Sequence, residues 1–108
     1  MHQHLVSPTA RATVSGGSTV KLTIVPPDEL DLDSAPALIE QLEEVAGSNV
    51  DLDCSGIAFI DSSGMRALVE LHERWASDGC AFVLVKPSTT LRRLLELTQL
   101  EDTFVIRE

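Results

Sequence analysis

Basic residues are scarce in this sequence. Among its 108 residues, 8 are Lys or Arg and 17 are Asp or Glu, which gives a formal net charge of -9. Nucleic-acid binding depends on Lys and Arg that displace counterions from phosphates, so this composition argues against a nucleic-acid partner. An acidic surface instead favours a basic partner surface and disfavours anionic membranes.

Long apolar runs are also missing. No run approaches the roughly 20 residues that a membrane-spanning helix needs. Residues 1–10 contain no apolar core of signal-peptide length. We therefore expect a cytoplasmic protein without direct membrane insertion. A chain of this length should form one domain, with a flexible N-terminal tail over residues 1–8 and the folded domain over residues 9–108.

Cysteine is limited to Cys54 and Cys80. The apolar pattern places Cys54 near the end of one strand and Cys80 at the start of another. If those strands are parallel neighbours, the two residues lie roughly 15 Å apart at about 3.3 Å per residue. A disulfide needs Cα atoms within about 7 Å of each other. We therefore expect two free thiols in a reducing compartment.

Catalytic and metal-binding signatures are missing as well. Neither Ser62 nor Ser63 has the glycine two positions earlier that a hydrolase elbow needs. The sequence His72 to Ala76 begins like a zinc-binding His-Glu-x-x-His motif but lacks its second histidine. The acidic loop 28–33 lacks the glycine and terminal glutamate of a calcium loop. We therefore predict a protein that is not an enzyme and that holds no metal or cofactor.

The spacing of apolar residues alternates along the chain between the periods of strands and of helices. The continuous apolar run Ala81 to Val85 is typical of a central strand covered on both faces. Strands are predicted at 12–15, 18–25, 50–54, 57–60, 81–85 and 103–106, with a turn at Gly16-Gly17 between the first two. Three helices are predicted: the first starts near Ser34, the second spans 63–77, and the third follows Pro87-Ser88. This order predicts an α/β fold, a mixed four- to five-stranded sheet with helices mainly on one face. Six residues of the second helix are expected to face the core: Met65, Leu68, Val69, His72, Trp75 and Ala76.

The most informative stretch is Phe59 to Met65, where an apolar strand end runs into Asp61-Ser62-Ser63-Gly64 and a helix begins at once. A helix start carries unsatisfied N–H donors and partial positive charge, so it suits a phosphate. Two interpretations follow. One serine acts only as the N-cap of the helix, or an exposed serine is phosphorylated and read by a partner.

This stretch resembles the STAS-domain family, and within it the bacterial anti-sigma factor antagonists. The resemblance extends from about Thr19 to the C-terminus and includes the segments 29–31, 50–53, 82–85 and 91–100. It implies a STAS-like single domain that binds an anti-sigma factor, itself a serine kinase, and so releases a sigma factor. It also implies that this kinase phosphorylates Ser62, which ends the binding, and that a PP2C-type metal-dependent phosphatase restores it.

The resemblance also implies a partner-binding surface. Its residues are Asp31, Asp61, Ser62, Ser63, Gly64, Met65 and Arg66. Arg66 lies one turn beyond Ser62, within reach of a phosphate there. The sequence departs from the family pattern at Asp28, where a glycine is common, and the stretch before the Asp-Ser-Ser-Gly corner is a few residues short. A STAS subunit of a membrane lipid-transport complex, acting without phosphorylation, is the alternative function.

Overall fold

The computed structural model describes residues 11–15 and 19–108, with side chains from residue 21 onward. The tail expected over residues 1–8 and the turn expected at Gly16-Gly17 lie outside these residues. In chain order the elements are β1 Arg11–Ser15, β2 Thr19–Ile24, β3 Glu29–Leu30, α1 Ala35–Glu43, β4 Asn49–Asp53, β5 Phe59–Ile60, α2 Ser62–Ser77, β6 Phe82–Val85, α3 Thr89–Leu97 and β7 Val105–Arg107.

Five strands form the main sheet, in the order β1-β2-β4-β6-β7. The β1 and β2 strands pair antiparallel, and every other pair in this sheet is parallel. The predicted mixed α/β sheet is therefore confirmed. The last strand was expected at 103–106 but begins at Val105, because the backbone turns where Thr103 N donates to Leu100 O and Phe104 is buried.

A second, two-stranded sheet joins β3 to β5 in parallel. The prediction treated 28–33 as loop only and 57–60 as one longer strand. Two-residue strands are too short to show an alternating pattern, so their pairing depends on the surrounding fold. This small sheet places the segment after Leu30 beside the segment after Ile60.

The core lies between one face of the main sheet and the helices. Its largest fully buried side chains include Leu52 and Leu84 from the sheet, Leu38 and Leu42 from α1, Leu68, Leu71 and Trp75 from α2, and Leu91 and Leu95 from α3. The expected burial of Ala76 is wrong. The buried stripe of α2 follows Leu68, Leu71 and Trp75, which leaves Val69 and His72 half-buried at its flank and Ala76 exposed.

The strand β6 turns one face toward the helices, and its other face is covered by an arginine side chain. Val83 and Val85 point away from the helices, yet both are buried. Arg107 on β7 donates a hydrogen bond to the carboxylate of Asp51 on β4, and β6 lies between those two strands. Asp51 is 7% exposed and also pairs with Lys21 at 3.7 Å. The Arg107 stem therefore crosses the valines, and Asp51 lies within the continuous β4 strand.

Arg107→Ala is expected to lower the free energy of unfolding by about 2 kcal/mol. The change uncovers the two valines and removes one cation from the buried Asp51 carboxylate. Arg107→Met keeps an apolar cover and should lose less. Urea denaturation of the three proteins measures both effects, and equal stability of Arg107→Ala and wild type would show that the crossing side chain contributes nothing.

Both cysteines are free. Cys54 is buried, and burial raises the pKa of its thiol to about 12, with a further contribution from the nearby Asp53 carboxylate. Its Sγ donates to Leu52 O at 3.4 Å, whereas Cys80 is only half-buried. Because the thiolate is the reactive form, Cys54 should be inert in the native protein.

A maleimide reagent at pH 8 is accordingly expected to label Cys80 but not Cys54 until denaturant is added, when both react. Intact mass spectrometry counts the labels. The raised pKa also predicts that Cys54 stabilises the fold below pH 9, the ordinary thiol value, and that this contribution is lost as pH rises through about 12. Two labels on the native protein would contradict the burial of Cys54.

Candidate functional site

The Asp-Ser-Ser-Gly corner lies where β5 ends and α2 begins. Asp61 is the N-cap of α2, and its Oδ1 accepts a hydrogen bond from Gly64 N at 3.0 Å. The Asp61 backbone N–H donates to Leu30 O at 3.2 Å, which ties the corner to β3. The interpretation that one of the two serines caps the helix is therefore wrong. The extended backbone of Asp61 and its short carboxylate suit the cap position.

Gly64 is required by a close approach to β3. A Cβ built at this position would lie 2.2 Å from Leu30 O and 2.9 Å from Ile60 Cγ1. Contacts under 3.0 Å to a backbone atom cannot be relieved by rotating a side chain. The first turn of α2 therefore rests directly on the β3 backbone, and only glycine fits between them.

The two serines are the part of the motif that the fold does not use. Ser62 is exposed and Ser63 is half-buried. Throughout the described residues, neither hydroxyl has a hydrogen-bond partner. Ser62 is the first residue of α2, where backbone N–H groups lack intrahelical acceptors and carry partial positive charge. The corner therefore presents a free hydroxyl at the positive end of a 16-residue helix.

Asp31 lies at the same corner, and one of its carboxylate oxygens bonds to its own loop. Its Oδ1 accepts hydrogen bonds from Asp33 N and Ser34 N, each at 3.0 Å. The Ser34 hydroxyl donates to Glu29 O at 2.6 Å and also contacts the Asp31 carboxylate at 3.2 Å. Asp31 therefore shapes the loop between β3 and α1. Within the described ranges, no group of three His, Cys, Asp or Glu side chains is arranged to hold a metal ion.

Leu32 is a candidate contact that the sequence interpretation missed. The folded loop leaves its side chain 71% exposed, beside the N-terminal end of α1. A leucine between two aspartates in a polar loop is the signal that was available. Leu32 also lines a cleft together with the apolar residues Pro36 and Ile39, so it belongs to a larger apolar surface beside the candidate site.

The seven predicted partner-binding residues divide by exposure. Ser62 and Arg66 are exposed, and Asp31, Asp61 and Ser63 are half-buried, whereas Gly64 and Met65 are buried. The structure brings all seven to one corner. The two buried residues support the first turn of α2 from beneath, and the other five reach the surface.

Two clefts border the first turn of α2. One lies between α1 and α2, has a volume of about 580 Å³, and includes Leu32, Ser63 and Arg66 among its lining. The other lies between α2 and α3, has a volume of about 420 Å³, and includes Ser62 and Arg66. Arg66 therefore stands on the ridge between them. Among the described residues it forms no ion pair, so its charge is available to a phosphate or a partner.

No helix in the part of the chain that the structure describes is long and apolar enough to cross a membrane. The family model described as MlaB, STAS domain, matches residues 12–107. No curated protein sequence matches the chain.

Solved structures share this fold at low sequence identity. A Thermotoga maritima protein provisionally described as an anti-sigma factor antagonist is 23% identical with a TM-score of 0.77, and the match covers 94% of this chain and 87% of that one. Bacillus SpoIIAA, an anti-sigma factor antagonist solved in unphosphorylated and phosphorylated forms, is 17% identical in both, with TM-scores of 0.64 and 0.59. Those two matches cover 90% of this chain and 86% and 89% of SpoIIAA.

The mouse anion transporter SLC26A9 is 16% identical with a TM-score of 0.67, and the match covers 82% of this chain but 18% of the transporter. The family match spans nearly the whole chain, and its residues include the complete Asp-Ser-Ser-Gly corner. The chain therefore belongs to the STAS-domain family.

Proposed function

We propose that this protein is an anti-sigma factor antagonist. It binds an anti-sigma factor that is also a serine kinase, through the corner around Ser62, and thereby frees a sigma factor in the cytoplasm. Phosphorylation of Ser62 ends the binding, and a PP2C-type phosphatase restores it. One observation carries the proposal: the Ser62 hydroxyl is exposed and has no hydrogen-bond partner among the described residues. In the same motif Asp61 caps α2 and Gly64 fits against β3, so both of these residues have structural roles.

The electrostatics of the corner support a binding switch. A phosphate adds about -1.5 to -2 charge at neutral pH. In an interface that charge would be desolvated beside the Asp61 carboxylate, which costs more than a typical contact returns. In the free protein the phosphate remains in water, next to the N–H donors of the α2 start and to Arg66. The modification therefore weakens the complex without unfolding the protein.

Ser62 is a better kinase substrate than Ser63. The Ser62 side chain is exposed at the first position of the helix, whereas Ser63 is half-buried and lines the cleft between α1 and α2. A kinase must bring the hydroxyl within contact distance of its nucleotide, so the exposed residue is favoured. Two structural neighbours are described as anti-sigma factor antagonists, and one of them was also solved in a phosphorylated form, which supports a role regulated by phosphorylation.

A membrane-transport subunit is the second candidate. The matching family model carries the name MlaB, and the fold also matches a part of an anion transporter. In such a role the same corner binds a transport protein, and no phosphate is needed. The exposed Ser62 hydroxyl favours the first candidate, because a phosphorylation switch needs an accessible hydroxyl at this corner and a constitutive contact does not.

Capture from the source cell separates the two candidates. Tagged wild type, Ser62→Ala and Ser63→Ala are recovered with and without phosphatase treatment, and intact mass and co-purified proteins are determined. We expect a phosphate on wild type and Ser63→Ala but not on Ser62→Ala, together with a serine kinase that is enriched on Ser62→Ala. An unphosphorylated protein recovered with a permease would replace the first candidate with the second.

A further inference from the structure

The cleft between α1 and α2, called the α1–α2 groove below, extends away from Ser62 along both helices. Ala35 at the start of α1 and Ser63 at the start of α2 both line it, so the two helices begin at the same end. At the opposite end Arg74 bridges α2 to Glu43 on α1, with Nη1 at 2.8 and 2.9 Å from its two carboxylate oxygens. The groove is thus open beside the candidate phosphorylation site and is closed by an ion pair at its far end.

The groove has an apolar floor. Pro36, Ile39 and Ala67 line it, and Leu32 stands 71% exposed at its open end. Adjacent helices form a groove into which the side-chain ridge of a third helix packs. Filling it would remove Leu32 and half-buried Ile39 from water, at about 25 cal/mol per Å² of apolar surface. The shape and the exposed leucine both suit an amphipathic helix laid along the groove.

The charges along the groove decide what kind of helix fits. Glu40 on α1 and Glu70 on α2 line its two sides, and both are exposed. The exposed Arg66 also lines the groove, one turn from Ser62 and therefore at its open end, so the acidic character lies farther along. Among the described residues neither carboxylate forms an ion pair. A second copy of this chain would bring the same carboxylates and a further net charge of -9 against them. Repulsion between like charges therefore disfavours a second copy as the partner. A helix that carries Lys or Arg beside an apolar stripe would instead pair with both Glu40 and Glu70.

We propose that the α1–α2 groove is a docking site for a basic amphipathic helix of the partner protein, with an apolar residue against Leu32 and Ile39 and basic residues opposite Glu40 and Glu70. This deepens the proposed function by giving the chemistry of the partner, and it rests on that function only for the partner's identity. The acidic part of the groove lies away from the phosphate. Glu70 lies eight residues from Ser62, which is about 12 Å along the helix and beyond the screening length of about 10 Å at 0.1 M salt.

Synthetic peptides test the groove without the natural partner. The probe is a short helical peptide with leucines along one face and lysines at its flanks, and its control carries glutamates in place of the lysines. Affinity is measured by fluorescence anisotropy for wild type and for the Glu40→Gln/Glu70→Gln variant. A Glu73→Gln/Glu101→Gln variant removes the same charge from exposed residues outside the groove lining.

We expect the groove variant to bind the lysine peptide about tenfold more weakly than wild type, since two ion pairs are lost. The Glu73→Gln/Glu101→Gln variant should bind within about twofold of wild type, and the glutamate peptide should not bind. Ala37→Trp fills the groove from an exposed position of α1 and should abolish binding, while its circular dichroism stays native. Equal weakening by both charge variants would mean non-specific attraction and would overturn the proposal.

Two further measurements complete the test. Ser62→Asp should leave affinity for the lysine peptide within about twofold of wild type, because of the distance between Ser62 and Glu70. If the peptide binds as expected but phosphorylation has no effect on the natural partner, the docking site stands and the proposed switch fails. Sedimentation that shows a dimer of this chain, dissociated by Ala37→Trp, would assign the groove to a second copy and overturn the proposal.

Discussion

Phosphorylation of Ser62 is expected to weaken binding to the anti-sigma partner by about 100-fold or more. Leaving a charge buried and unpaired in an interface costs about 3–5 kcal/mol, and each 1.4 kcal/mol is a factor of ten in affinity. The Asp61 carboxylate lies next to the phosphate in the chain and adds repulsion. Calorimetric titration of unmodified and enzymatically phosphorylated protein against the partner measures the loss directly.

Point variants separate the charge from the hydroxyl. Ser62→Ala removes only a hydroxyl that has no partner in the described structure, so its affinity should stay within about threefold of wild type and should not respond to the kinase. Ser62→Asp should bind more weakly than wild type but better than the phosphoprotein, because it carries one charge and fewer oxygens. Ser63→Ala is the matched control and should remain switchable. Equal affinities of phosphorylated and unmodified protein would refute the switch.

Gly64→Ala is expected to lower the free energy of unfolding by about 3 kcal/mol, because an added Cβ meets the Leu30 carbonyl and the first turn of α2 must move. At an ordinary helix interior position the same change stabilises by roughly 0.5–1 kcal/mol, so the sign of the effect is diagnostic. The Cβ position 2.2 Å from Leu30 O leaves no room for a rotamer change to relieve the contact. Urea denaturation followed by circular dichroism gives the difference.

Gly56→Ala is the control for that measurement. A Cβ at Gly56 would meet only the Asp28 carboxylate oxygen at 3.4 Å, which a flexible side chain can relieve. Its stability should therefore lie within about 0.5 kcal/mol of wild type. At temperatures where Gly64→Ala is still folded, it should also bind the partner more weakly, since Ser62 moves with the displaced turn. A stable Gly64→Ala protein would mean that β3 does not hold the helix start.

Much of the fold follows from periodicity. The apolar run at 81–85 and the helix expected at 63–77 appear as β6 and α2 within one or two residues, because long segments repeat their pattern several times. The pairing of β3 with β5 has two residues a side, so no repeat exists to detect. The strand β6 is covered on both faces, as predicted, but on one face the cover is the side chain of Arg107. Arg107 and its partner Asp51 are 56 residues apart in the sequence, and periodicity gives no information about such a contact.

The sequence predicted candidate residues that the structure brings to one corner, but it did not indicate all of their structural roles. Asp, Ser and Asn are all favourable N-caps, so local preference could not choose between Asp61 and the serines that follow it. That choice is made by the register of the helix, which Gly64 fixes by fitting against β3. Asp31 also has a structural role that the sequence did not indicate, because its Oδ1 accepts the N–H groups of its own loop. The exposure of Leu32 likewise depends on how that loop folds.

Asp61 and Gly64 both serve the fold, because one caps α2 and the other fits against β3. This affects how the Asp-Ser-Ser-Gly motif should be interpreted when STAS proteins are compared. A lineage that loses its kinase remains under pressure to keep the aspartate and the glycine, because the helix start still needs a cap and a close fit. The serine at the first helical position is released from that pressure. In this structure the Asp-x-x-Gly frame serves the fold, and under the proposed switch the residue directly after the aspartate is the one that carries the regulation.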